Sequence, residues 1–216
     1  MAPKSISLTH LKAIFFIALS LPALWLGWQW ALLLGAHPND LGVNPVEATN
    51  RFLGDTALRV LLITLAITPL RDLTGYAPLT RLRRMAGLFA FFYVCLHLAS
   101  YLGLDLFFSL AKLWKDIVKR TYITLGMSAF ALLIPLALTS TNASIRRLGP
   151  RRWARLHTLI YPAAILAVVH HVFMAKGFQI MPLVHGAILF FLLGWRVVKW
   201  QRKNTAQKGN RISKSS

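Results

Sequence analysis

Acidic residues are scarce. The 216-residue chain has six of them against 25 Lys and Arg, a formal net charge of +19. Cysteine is scarcer still. Cys95 stands alone, which excludes an intramolecular disulfide and a cysteine-ligated metal cluster. Its thiol sits in an apolar run and reads as packing. The positive charge would suit nucleic acid, but the basic residues fall between apolar runs and form no single basic face, so no nucleic-acid partner is expected. After the last apolar run the tail lacks the glycine-rich loop that NADPH would need, and no soluble nucleotide-binding domain is expected there.

What the chain has is apolar surface. Hydrophobic residues make up 56% of it, more than a soluble globule of this size could hide. A helix needs about 20 apolar residues to cross the hydrocarbon core of a bilayer. Six segments qualify: 13–36, 52–70, 85–104, 121–139, 156–175 and 177–195. The expected fold is therefore all-α, a polytopic bundle of six transmembrane helices in the lipid bilayer. One domain fills residues 1–200, and 201–216 form a basic, disordered tail. The first segment follows Lys4, His10 and Lys12 like a signal peptide, but it is longer than a signal core and reads as a retained span. The second is the weakest, because Asp55 and Arg59 fall inside it; four apart, they share a helix face and can pair.

Basic residues mark the cytoplasmic side of a membrane protein. Arg71, Arg81, Arg83 and Arg84 follow span two. Arg146, Arg147, Arg151, Arg152 and Arg155 follow span four, and Arg196, Lys199, Arg202, Lys203, Lys208, Arg211 and Lys214 follow span six. The first loop has only Arg51 beside Asp40 and Glu47, and the fifth only Lys176. Both termini are thus expected in the cytoplasm, and loops one, three and five face outward, which in a bacterium means spans in the inner membrane and those loops in the periplasm. The third loop carries Leu106, Phe107, Leu110, Leu113, Trp114 and Ile117 at helical spacing. It is expected to lie flat on the outer surface, where it could anchor or dock a partner.

Histidines inside the spans are the candidate site. Ionisable groups in membrane helices face the bundle interior, and imidazole is the commonest metal ligand. His97 is twelve residues from the inner start of span three, roughly 18 Å deep, and His170 is fourteen into span five, roughly 21 Å deep. A haem with one axial imidazole from each helix would fit, and six-coordinate iron suits electron transfer. His157, thirteen residues before His170, lies near the inner edge and could serve a second, stacked haem, so one or two haems are expected. Its counterpart on span three is an arginine, Arg84 or Arg83, and His10 is a further candidate. Helix angle pairs His157 with His171 as readily as with His170. His185 in span six competes at the same depth as a ligand, a packing residue or a quinone contact.

The stretches RLRRMAGLFAFFYVCLHLASYLGLDL and KRTYITLGMSAFALLIPLALTSTNASIRRLGPRRWARLHTLIYPAAILAVVHHVF carry a resemblance over about residues 10–200. They resemble the ferric-reductase-like transmembrane family, and in it the haem-binding membrane subunits of bacterial periplasmic methionine sulfoxide reductase systems. The resemblance implies haem b and FMN. It also implies electrons drawn from the quinone pool and passed to a periplasmic molybdopterin subunit, MsrP, which repairs oxidised proteins. His97, His157 and His170 match the family histidines, whereas His171 matches no family ligand. Arg84 stands where dihaem members carry a histidine, and such an arginine could contact a haem propionate. Read this way, the chain carries electrons without itself reducing sulfoxide. The alternatives are a stand-alone membrane haem or ferric reductase, a haem-free transporter with a histidine relay, and a structural assembly subunit.

Overall fold

The computed structural model of the chain describes residues 7–175 and 179–212, with side chains as far as residue 205. Lys4, Lys176, Lys214 and the expected start of span six at Gly177 lie outside the described residues. Every regular element among the described residues is helical. In order they are α1 (Leu8–Leu34), α2 (Pro45–Thr74), α3 (Arg83–Ser100), α4 (Leu110–Lys119), α5 (Thr121–Leu138), α6 (Asn142–Leu148), α7 (Pro150–Leu156), α8 (Ile160–Met174) and α9 (Ile180–Ile212). Six helical segments are long and apolar enough to cross a membrane: α1, α2, α3 with its flanking turns, α5, α7–α8, and α9. The protein is a multi-pass membrane bundle.

Local sequence sets the helix ends. Asn44 caps α2 by accepting from the Glu47 amide, with Pro45 in the first turn. Gly75 ends it in the left-handed region at φ 69°. Pro22 and Pro69 interrupt α1 and α2, and the break at Pro69 is answered from another helix. The Pro69 nitrogen has no proton for the Leu65 carbonyl, and Arg196 Nη2 of α9 donates to that oxygen at 2.6 Å. Next to Pro22, the buried Tyr93 hydroxyl of α3 inserts into the α1 ladder. It donates to Leu19 O at 2.6 Å and accepts from Ala23 N at 3.2 Å. In lipid no water can do this work.

The core is built on α2, whose face carries Leu53, Ala57, Leu58, Leu61, Leu62 and Leu65. This is the span whose sequence looked weakest. It packs against α3, α8 and α9, while α5 pairs with α8. The bundle therefore holds two antiparallel hairpins, α2–α3 and α5–α8, joined on one side by α4. Ser109 caps α4, and Tyr101 donates to its Asp116 at 2.5 Å. Leu110, Trp114 and Val118 stay exposed along one face, as expected of a surface-lying helix. Phe107 and Phe108, just before it, sit at φ 49° and 57°, a region costly for side chains this large.

Helix limits differ from the expected ones mainly by extension. The second span reaches Pro45 and Thr74, because capped polar turns extend it beyond its apolar centre. The expected disordered tail from residue 201 instead continues α9 to Ile212. Gln, Lys, Arg and Ala favour a helix that has already been nucleated.

Candidate haem-binding site

Each hairpin presents one imidazole in the same way. His97 of α3 crosses to α2, where its Nδ1 bonds the Asn50 carbonyl at 3.0 Å. His170 of α8 crosses to α5, where its Nδ1 bonds the Tyr122 carbonyl at 2.6 Å. Four residues after each carbonyl stands a glycine, Gly54 or Gly126, and the ring lies on it. A Cβ on Gly54 would meet His97 Cε1 at 3.1 Å, and one on Gly126 would meet His170 Nδ1 at 2.9 Å. The geometry has a simple origin. A helical carbonyl keeps a second lone pair after its own ladder bond, and the side chain at i+4 normally shields it. Glycine at that position uncovers it.

A carbonyl on Nδ1 fixes the proton there and leaves Nε2 as the free, basic nitrogen that a metal takes. The ring centres of His97 and His170 are 6.3 Å apart, with planes at 72°. A metal–imidazole bond of about 2.0 Å puts the metal about 3.1–3.2 Å from a ring centre, so two rings on opposite sides of one iron have centres about 6.3 Å apart. The residues present fit a six-coordinate haem. Among the described residues no group of three or more His, Cys, Asp or Glu side chains could cage a bare metal ion. A porphyrin brings four nitrogens of its own and asks only two ligands of the protein.

The other candidates stand elsewhere. His171 points away from the pair, its Nδ1 3.6 Å from an Asp55 carboxylate oxygen. Its ring meets that of buried His185 edge to face, 5.2 Å between centres. His157 lies at the arginine-rich end, stacked on Trp153 at 3.9 Å, with Nε2 3.1 Å from the Thr139 hydroxyl. Arg84 there donates to Asn142 Oδ1 at 2.7 Å, and His10 bonds Ser7 at the start of α1. Sequence reasoning missed the two carbonyls, the two glycines and the grouping of Asp55 with His171 and His185. A signal for the glycines existed. Leu53-Gly54 precedes His97 and Leu125-Gly126 precedes His170 at nearly the same remove.

Comparison with known proteins agrees in kind. Residues 53–168 match the model of the ferric reductase like transmembrane component family, a stretch that holds His97 and His157 and stops just short of His170. Three relatives share the name protein-methionine-sulfoxide reductase heme-binding subunit MsrQ. That of Rhodospirillum rubrum is 53% identical over 188 residues, 87% of this chain and 88% of its own. That of Caulobacter vibrioides is 43% identical, covering 96% and 95%. That of Xanthomonas campestris pv. campestris is 48% identical, covering 94% and 91%.

Proposed function

Because the chain belongs to the ferric reductase-like transmembrane family, and within it to the MsrQ heme-binding subunits of protein-methionine-sulfoxide reductase, we propose that it carries electrons through haem b from the quinone pool to MsrP. MsrP is the periplasmic molybdopterin subunit where sulfoxide reduction takes place, and the chain itself lies in the bacterial inner membrane with both termini in the cytoplasm.

The observation that carries this reading is the His97–His170 pair, 6.3 Å between ring centres, each imidazole tied through Nδ1 to a backbone carbonyl. His97 and His170 would hold a haem there, and it would supply one-electron chemistry. The chain does the rest. The Asn50 and Tyr122 carbonyls orient the rings and raise the basicity of Nε2. Gly54 and Gly126 let the rings seat. His157 would serve an inner haem only after giving up Thr139, so one haem is the simpler stoichiometry. Arg84 at that end is a propionate contact if an inner haem is present. FMN belongs to the proposal through the family resemblance.

Visible difference spectra, reduced minus oxidised, of the detergent-purified protein test the reading. Wild type shows b-type bands. His97→Ala and His170→Ala each abolish them, while His171→Ala and His185→Ala retain them. Loss of about half the haem in His157→Ala would add an inner haem. A well-folded, colourless wild type expressed with ample haem would leave the histidine-relay alternative standing instead.

A further inference from the structure

Among the described residues, four ionisable side chains group together outside the imidazole pair: Asp55 and Arg59 of α2, His171 of α8 and His185 of α9. They form a row from the bundle surface inward. The Arg59 side chain is 54% exposed, that of Asp55 34% and that of His171 20%, while His185 as a whole is 5% exposed. Beside them Ile63, Val172, Val184 and Ile188 are exposed apolar residues on spanning helices, so the surface from which the row starts faces acyl chains. Charge at such a surface is costly and marks the path of a substrate or ion.

The inner end of the row is unsatisfied. The Asp55 carboxylate lies 3.9 Å from Arg59 and 3.6 Å from His171 Nδ1, which holds His171 with Nε2 on its far side. His171 Nε2 and His185 Nδ1 are both buried without a hydrogen-bond partner, on rings 5.2 Å apart. Buried orphans of this kind are rare in folded proteins. Two together, one on a histidine that is nine-tenths buried, mark a seat for a polar group that the protein does not itself supply. The group is not a bare cation, since these donors form no cage. An entrance from lipid excludes a water-soluble guest. Apolar walls with two imidazole nitrogens suit a flat ring bearing hydroxyl or carbonyl oxygens.

We infer that the His171–His185 pair seats the ring of a lipid-soluble quinol, which enters from the bilayer past Arg59 and Asp55. The inference rests on the quinone pool being the electron donor. It gives that donor a place directly beside His170, since His171 is the next residue; a quinol there would give up two electrons in successive one-electron steps to ferric haem and two protons toward Asp55 at the bundle surface, and would leave as the quinone. A donor dissolved in the bilayer reaches this level without a carrier at the arginine-rich end.

The test uses the haem-loaded full chain in lipid nanodiscs with a photoreactive azidoquinone and peptide mapping by mass spectrometry. Label is expected near His171 and His185 and is removed by excess decylubiquinone. His185→Leu lowers labelling and slows haem reduction by decylubiquinol by about tenfold or more, while the dithionite-reduced spectrum is unchanged; His185→Gln, which keeps a hydrogen-bonding group, recovers part of both. If either His185 variant fails to hold haem, Arg59→Gln at the entrance decides in its place by the same loss of labelling. Labelling elsewhere, labelling equal in wild type and variants, or displacement by added phospholipid alone overturns the seat. Decylubiquinol that reduces wild type and His185→Leu equally fast overturns the seat and leaves the donor reading intact. A wild-type haem that no quinol reduces overturns both.

Discussion

Gly54 and Gly126 are the residues on which the site geometry turns, although neither carries chemistry. Each uncovers a carbonyl and leaves space that an imidazole fills. An added methyl would fall 2.9 Å from His170 Nδ1 at Gly126 and 3.1 Å from His97 Cε1 at Gly54. The first distance cannot be met without moving the ring off the Tyr122 carbonyl. The second asks for a shift of a few tenths of an ångström. Gly126→Ala should therefore lose more haem than Gly54→Ala, with an overpacking cost of about 1–3 kcal/mol, read as haem content per protein and as thermal stability in detergent. Equal occupancy in the two variants would mean that the rings do not rest where the glycines put them. At this scale the sequence was half legible. Depth along the spans selected His97 and His170, because rise per residue is nearly constant. The choice of His170 over His171 was not legible from angle, because it depends on which neighbouring helix each faces. Adjacent residues diverge by about 100°, so α5 takes one and the Asp55–His185 side takes the other.

The helices themselves depend on repairs that cross between them. Pro69 opens the ladder of α2 at Leu65, and Arg196 of α9 closes it. Arg196→Met should cost about 1–3 kcal/mol, the penalty for a buried carbonyl left unpaired. In a Pro69→Ala background the restored amide can serve Leu65, and the same Arg196→Met change should cost less than half as much. A double-mutant cycle on unfolding in mixed micelles measures the difference; additive effects would show that Arg196 acts through charge alone. Tyr93→Phe is the parallel case, removing the hydroxyl that bridges Leu19 O and Ala23 N. It should destabilise by about 1–3 kcal/mol in the same assay, with the haem spectrum unaltered. These repairs explain why span limits were legible and span importance was not. Hydropathy ranks α2 last because Asp55, Arg59 and its capped polar ends dilute the apolar count. Burial makes it the centre, because those polar groups find partners within the bundle or at its ends.

At the scale of the whole molecule, the six spans and their connections follow from the spacing of apolar runs, and the direction of insertion is a matter of charge. The turns after α2, the segment α6–α7 and the far end of α9 gather arginines at one end of the bundle, while α4 lies at the other. The basic end is expected to remain in the cytoplasm. Lys112, Lys115, Lys119 and Arg120 make the α4 end less clean than the rule requires. The amphipathic character of α4 accounts for the exception. Its lysines sit on a helix that is expected to lie along the surface, where charges weigh less in orientation than those flanking a short loop. The single native thiol makes the test direct. In a Cys95→Ser background, Lys115→Cys on the exposed side of α4 should react with a membrane-impermeant maleimide in cells whose outer membrane is permeabilised. Ala143→Cys, exposed in α6, should react only after the inner membrane is broken. The opposite pattern would invert the molecule. The His97–His170 pair would then lie nearer the cytoplasm than the periplasm, and electron delivery to a periplasmic subunit would require a haem at His157 after all.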